Sequence, residues 1–107
     1  MQYERMVQRL FVKPDDKTGR LVHAAMGISG EAGELVDAVK KHWVYGKPLD
    51  TENVLEECGD VLFYLVAMLN ECGFSLMDAM EHNEAKLAKR YPDGWSEQAA
   101  IERKDKA

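Results

Sequence analysis

An all-α bundle is the fold this sequence predicts, and three observations carry that reading. Long stretches repeat their apolar residues at the helical period, and no segment holds a period-2 alternation between turns. The three prolines, Pro14, Pro48 and Pro92, all stand in turn-forming clusters: Pro14-Asp15-Asp16, Gly46-Lys47-Pro48 and Pro92-Asp93-Gly94. These clusters cut the chain into helix-sized pieces. A first helix is predicted over about Tyr3 to Leu10 and a second over about Thr18 to Tyr45. Thr51 reads as the N-cap of a third helix that runs to Cys72 and is stopped by Gly73. Ser75, with Asp78 three residues on, reads as the cap and first-turn acid of a fourth that ends near Tyr91. Beyond Gly94 the chain is short and charged. Ser96 can cap one or two turns there, and residues 96–107 are expected to fray partly.

The 107 residues fit a single domain over 1–107, with 46% hydrophobic side chains to build a core. A net charge of -5 argues against a protein that grips a nucleic-acid polymer or an anionic membrane over a broad face. The longest purely apolar run, Val61 to Leu69, falls well short of the ~20 residues of a membrane span. The first thirty residues are too charged for a signal peptide, so the chain reads as soluble and cytoplasmic. Cys58 and Cys72 lie on one predicted helix, about 21 Å apart at ~1.5 Å per residue, and cannot bridge each other. They read as small core residues.

On the third helix Val54, Cys58, Val61, Leu62, Leu65, Met68, Leu69 and Cys72 form one apolar stripe, while Phe63, Tyr64 and Val66 lie outside it. A helix that is apolar nearly all round needs partners on more than one side. The reading is a four-helix bundle completed by homo-oligomerisation, as a dimer or a tetramer.

On the second helix Leu21, Ala25, Ile28, Ala32, Leu35, Val36, Val39 and Trp43 fill an arc expected to face the core. The neighbouring arc carries His23, Gly27, Glu31, Glu34, Ala38 and Lys41. The third helix repeats the pattern, with Glu57 and Asp60 on one face and Glu56 at its edge. Two helices thus each carry an acid-x-x-acid pair around small residues, Ala32-Gly33 and Cys58-Gly59, which would permit close helix approach. Converging carboxylates repel unless cations sit between them, and oxygen ligands without Cys or His favour Mg²⁺ or its substitute Mn²⁺. The competing reading is two solvated acidic faces. Asn83, Lys86 and Arg90 form a polar stripe on the fourth helix, with Tyr91 at its end. The stripe reads either as a phosphate clamp or as cations complementing the helix dipole.

Glu31-Ala32-Gly33-Glu34-Leu35, followed by Glu56-Glu57-Cys58-Gly59-Asp60-Val61-Leu62 after a gap that puts 22 residues between Glu34 and Glu57, resembles the E-x-x-E…E-x-x-D signature of MazG-like all-α nucleoside triphosphate pyrophosphohydrolases. Asn83-Glu84-Ala85-Lys86-Leu87, continuing through Arg90-Tyr91-Pro92-Asp93-Gly94-Trp95, resembles the segment that closes compact members. The resemblance covers about Gly27 to Trp95. It implies Mg²⁺ on Glu31, Glu34, Glu57 and Asp60, and a nucleotide side made by Asn83, Lys86, Arg90 and Tyr91. The implied reaction is hydrolysis of a (deoxy)nucleoside triphosphate between the α- and β-phosphates, giving a monophosphate and pyrophosphate, with nucleotide-pool house-cleaning as a role. Glu56 is a candidate proton acceptor, and His23 and Lys41 are candidate contacts to phosphate or base. The alternatives are a dUTPase-like or phosphoribosyl-ATP pyrophosphohydrolase specificity on the same scaffold, or a non-catalytic helical interaction module.

Overall fold

The computed structural model describes residues 2–106, and its regular structure is all helical, with no strand among them. Its elements are α1 (Gln2–Leu10), α2 (Lys17–Tyr45), α3 (Thr51–Glu71), α4 (Leu76–Arg90), α5 (Glu97–Glu102) and a closing 3₁₀ turn (Lys104–Lys106). Met1 and Ala107, the ends of the domain expected over 1–107, lie outside the described residues. No single helix among those residues is long and apolar enough to cross a membrane.

The caps explain the helix boundaries. Asp16 accepts the Gly19 N–H and starts α2, and Gly46 ends it at φ 64°, a left-handed conformation that costs glycine nothing. His42 Nδ1 bonds the Lys47 carbonyl across that turn. The third helix is capped by Asp50, which accepts the Asn53 N–H, so Thr51 is its first helical residue and not its cap. Ser75 and Asp78 form the reciprocal capping box expected of α4.

The chain packs as two compact units, residues 1–74 and 75–107. In the first, α2 and α3 run antiparallel as one long seam, and α1 lies against α3. Val7, Phe11, Ala24, Ala38, Val66 and Ala67 are its buried residues. Asn70 donates to the Glu4 carbonyl and fixes α1 on α3. Arg20 donates to Glu71 Oε1 at 2.6 Å and also to the carbonyls of Pro14 and Asp15, tying the α1–α2 loop to the seam.

Three expectations change here. The α2 stripe that turns inward is Leu21, Ala24, Ile28, Glu31, Leu35 and Ala38, rotated from the predicted arc, so that Val36 is 63% and Trp43 83% exposed. The small residues inside the acid pairs do not make the close approach: a methyl group added at Gly33 or Gly59 meets nothing within 4 Å. Gly27 makes it instead, since a methyl group there would overlap the Tyr64 ring. Cys58 and Cys72 are exposed, because the inward stripe of α3 runs through Asn53, Glu57, Asp60, Tyr64, Ala67 and Glu71 and misses both.

Part of the surplus apolar side of α3 is covered within the chain, while Leu55 and Leu65 stay exposed. Phe11 stacks on His23 and meets Phe63 and Tyr64 edge-on, and Val66 is fully buried. Phe63 and Tyr64 are half-buried by these contacts and Val66 is buried by the fold, so these three residues leave less apolar surface for a second copy than the sequence suggests.

In the second unit, the 3₁₀ turn and α5 pack on α4. Ser96 caps α5 by accepting the Ala99 N–H, and the chain beyond it returns to α4 where the sequence predicts fraying.

Candidate functional site

The α2–α3 register sets which side chains meet. Arg20 pairs with Glu71, the Tyr64 ring fills the space over Gly27, and one turn further on Glu31 meets Asp60 and Glu57. A single antiparallel offset relates all three levels, with Arg20 and Gly27 at the edge of the inward α2 stripe and Glu31 on it. A carboxylate oxygen from each of Glu31, Glu57 and Asp60 lies within 4.8 Å of the other two, and all three residues are half-buried.

Like charges at this spacing are costly, and the strain concentrates on Glu57. One of its oxygens, Oε2, is buried without a hydrogen-bond partner among the described residues. Burial, then the charges of Asp60, Glu31, Glu34 and Glu56, hold its carboxyl above the usual carboxylate range. A buried carboxylate oxygen that lacks a donor, flanked by two more carboxylates, is an arrangement a divalent cation satisfies. The ligand atoms are all oxygens, the set preferred by Mg²⁺ and Mn²⁺.

The remaining expected residues are placed as follows. Glu34 is exposed one turn beyond Glu31; it stands outside the three-carboxylate group but contributes to the field on Glu57. Glu56 is likewise exposed and adds to that field. His23 stacks on Phe11, and its Nδ1 lies 3.0 Å from the Lys13 carbonyl, so the ring braces the α1–α2 loop. Lys41 is exposed on α2.

Tyr3 was not singled out by its sequence context. Burial, with the Asp60 charge second, raises its phenol above the usual value, so α1 brings a hydroxyl into the field of the acid cluster. The crossing of α1 over α3 that brings Tyr3 there leaves no periodic signal in the sequence.

Within the second unit the expected α4 stripe divides. Asn83 and Tyr91 line a shallow, largely apolar groove with Met80, Glu84, Leu87 and Ala88. Arg90 is half-buried and turns to the other side, toward Asp105 of the 3₁₀ turn, and the Lys86 charge reaches the same acid. Arg90 donates from Nε to Asp105 Oδ1 at 2.7 Å and from Nη2 to Oδ2 at 3.2 Å. Its guanidinium also lies 6.0 Å from the centroid of the Tyr91 ring, within cation–π range. The Arg90 hydrogen bond, and more weakly the Lys86 charge, pull the Asp105 carboxyl below its usual range.

A family model described as the MazG nucleotide pyrophosphohydrolase domain matches residues 23–95. The match contains both acid pairs and the α4 residues; Tyr3, Arg20 and Asp105 fall outside it. Neither the curated proteins nor the solved structures contain a match to the chain.

Proposed function

The chain belongs to the MazG nucleotide pyrophosphohydrolase domain family, and from that premise we propose that it cleaves (deoxy)nucleoside triphosphates between the α- and β-phosphates, releasing a nucleoside monophosphate and pyrophosphate. One observation carries the reading: three carboxylates gathered within 4.8 Å, one of them with a buried oxygen that no donor reaches. Glu31, Glu57 and Asp60 would hold Mg²⁺, and Glu34, one turn away and exposed, would complete the set. A bound divalent cation supplies neutralisation of phosphate charge and a water of lowered pKa for attack on the α-phosphorus.

The chain's own residues do the rest. The Tyr64 ring over Gly27 fixes the helix spacing that holds the carboxylates together. Glu56, exposed beside the cluster, is the proposed acceptor of the water's proton. Lys86 and Arg90 are the proposed phosphate-binding cations, with Asn83 and Tyr91 on the nucleoside side. Removal of non-standard triphosphates from the nucleotide pool is the role proposed.

Self-association belongs to the proposal as well, on a different basis from the apolar side of α3. Val36, Val39, Trp43 and Val44 are exposed along the outer face of α2 and line one apolar groove with Leu35 and Lys40. A second copy of the chain covering that face would bury Trp43, the kind of aromatic anchor that dominates interfaces.

A panel of standard and modified (d)NTPs with Mg²⁺, scored for pyrophosphate against orthophosphate, tests the reaction. Pyrophosphate and monophosphate in equal amounts are expected. Orthophosphate release, or no turnover of any nucleotide, would contradict the proposal.

A further inference from the structure

The residues after the matched domain bring one acid back onto α4. Asp105 is tightly enclosed within the second unit: its side chain is 3% exposed, against 17% for the Arg90 side chain it grips. The grip is side-on, through Nε and Nη2, which leaves Nη1 outside the ion pair. Two parallel charge-assisted bonds fix the plane of a guanidinium in a way that one cannot. The backbone is bent to deliver this acid. Arg103 closes α5 at φ 49°, a left-handed conformation unusual for a residue with a side chain, and the 3₁₀ turn that follows carries Asp105 back onto α4.

A helix of six residues is marginal by itself, so the pair staples the chain end to α4. The closure also holds a half-buried arginine in one orientation, with Nη1 outside the ion pair and the Tyr91 side chain as its other polar neighbour. We propose that Asp105 is a positioning residue for the pyrophosphohydrolase reaction, orienting Arg90 so that its Nη1 edge binds the phosphate chain. The inference rests on the reading of Arg90 as a phosphate ligand, and it makes the segment beyond residue 95 a component of the working enzyme.

The test uses the full chain, with Mg²⁺ and inorganic pyrophosphate as the calorimetric probe, alongside kcat and KM for one triphosphate. Asp105→Asn keeps the shape but loses the charge and one acceptor. It should weaken pyrophosphate binding and raise KM by roughly 10-fold with kcat little changed, the size of loss typical when a group that orients a ligand-binding side chain is removed. Asp105→Glu, which keeps the charge, should fall between Asp105→Asn and the unaltered chain. In an Arg90→Ala background, Asp105→Asn should add no further loss.

If Arg90→Ala weakens pyrophosphate binding while Asp105→Asn and Asp105→Glu leave it unchanged, Asp105 only staples the chain end to α4 and this inference fails alone. Tighter binding by Asp105→Asn would also overturn it, since the acid would then be competing with phosphate for Arg90. Unchanged binding by Arg90→Ala would remove the phosphate role of α4, and the inference with it.

Discussion

At one end of the α2–α3 seam Arg20 faces Glu71, and three turns along the same seam Glu31 faces Glu57 and Asp60. Both sites lie on or at the edge of the inward stripes of the same two helices, in the same register, and both bury charge partly. The Arg20 end is closed by opposite charge and by two backbone carbonyls, with side chains only 22% and 15% exposed. The Glu57 end has three negative groups, no cationic side chain paired with any of them among the described residues, and an oxygen without a donor. The contrast separates what the fold needs from what a ligand must bring. The first site is complete as it stands, whereas the second carries unbalanced negative charge that a proton on Glu57 or a bound cation would offset.

The largest effect should come from the unbalanced end. Glu57→Gln keeps the side-chain volume but removes the charge, and should lower kcat/KM at least about 100-fold, because metal-borne charge stabilisation is worth several kcal/mol in the transition state. The same change should leave the metal-free protein as stable as before, or more so, in thermal denaturation. Loss of stability together with retained turnover would invert the assignment of the two ends.

Gly27→Ala tests the link between the ends. The added methyl group would overlap the Tyr64 ring, and overpacking of this kind costs about 1–3 kcal/mol. It would also push α2 and α3 apart within a turn of Glu31 and Asp60, so activity per folded molecule should fall as well. A stability loss with unchanged kcat/KM would show that the acid cluster does not depend on that contact.

Breaking the balanced end should give the opposite signature to Glu57→Gln. Glu71→Ala removes the acceptor of a half-buried charge-assisted bond and should cost about 1.5–3 kcal/mol of stability, measured by denaturant titration. Turnover of the molecules that remain folded should be preserved, since Arg20 and Glu71 stand three turns from the carboxylates.

A smaller effect distinguishes the ends by pH. The folded, metal-free state binds the Glu57 proton more tightly than the unfolded chain does, whose value lies near 4.5. Its contribution to stability is therefore fully present below that ordinary value and is lost as pH rises through the raised folded value. Denaturation midpoints of the metal-free protein should show this loss on raising pH, and Glu57→Gln should flatten it. An unaltered slope in that variant would place the proton elsewhere.

Much of the fold is legible in the sequence, because helix punctuation is local. Ser75 with Asp78, Gly46 and the proline clusters fix boundaries without reference to the rest of the chain. Which face of each helix turns inward is less legible. Hydropathy points α2 inward along Val36, Val39 and Trp43, whereas packing selects Ala24, Gly27 and Ala38, since small residues let α3 approach and the larger apolar residues stay outside. The acid pairs are visible as motifs, yet the grouping of Glu31 with Glu57 and Asp60, and the exposure of Glu34, follow from the register of two helices and from nothing local. Tyr3 and Asp105 are invisible for the same reason: each reaches its partner through a chain crossing that leaves no periodicity.

The central claim is that the carboxylate end of the seam is a divalent-cation site, and the thermal stability of the metal-free protein titrated with Mg²⁺, without nucleotide, tests it most directly. At about ten times the dissociation constant a cation bound only by the folded state adds about 1.4 kcal/mol, a rise of roughly 5 °C or more for a domain of this size. The unaltered chain should show that rise. Glu57→Gln should start at an equal or higher midpoint and respond little. A midpoint indifferent to millimolar Mg²⁺ and Mn²⁺ in the unaltered chain, or an equal response in Glu57→Gln, would contradict the account.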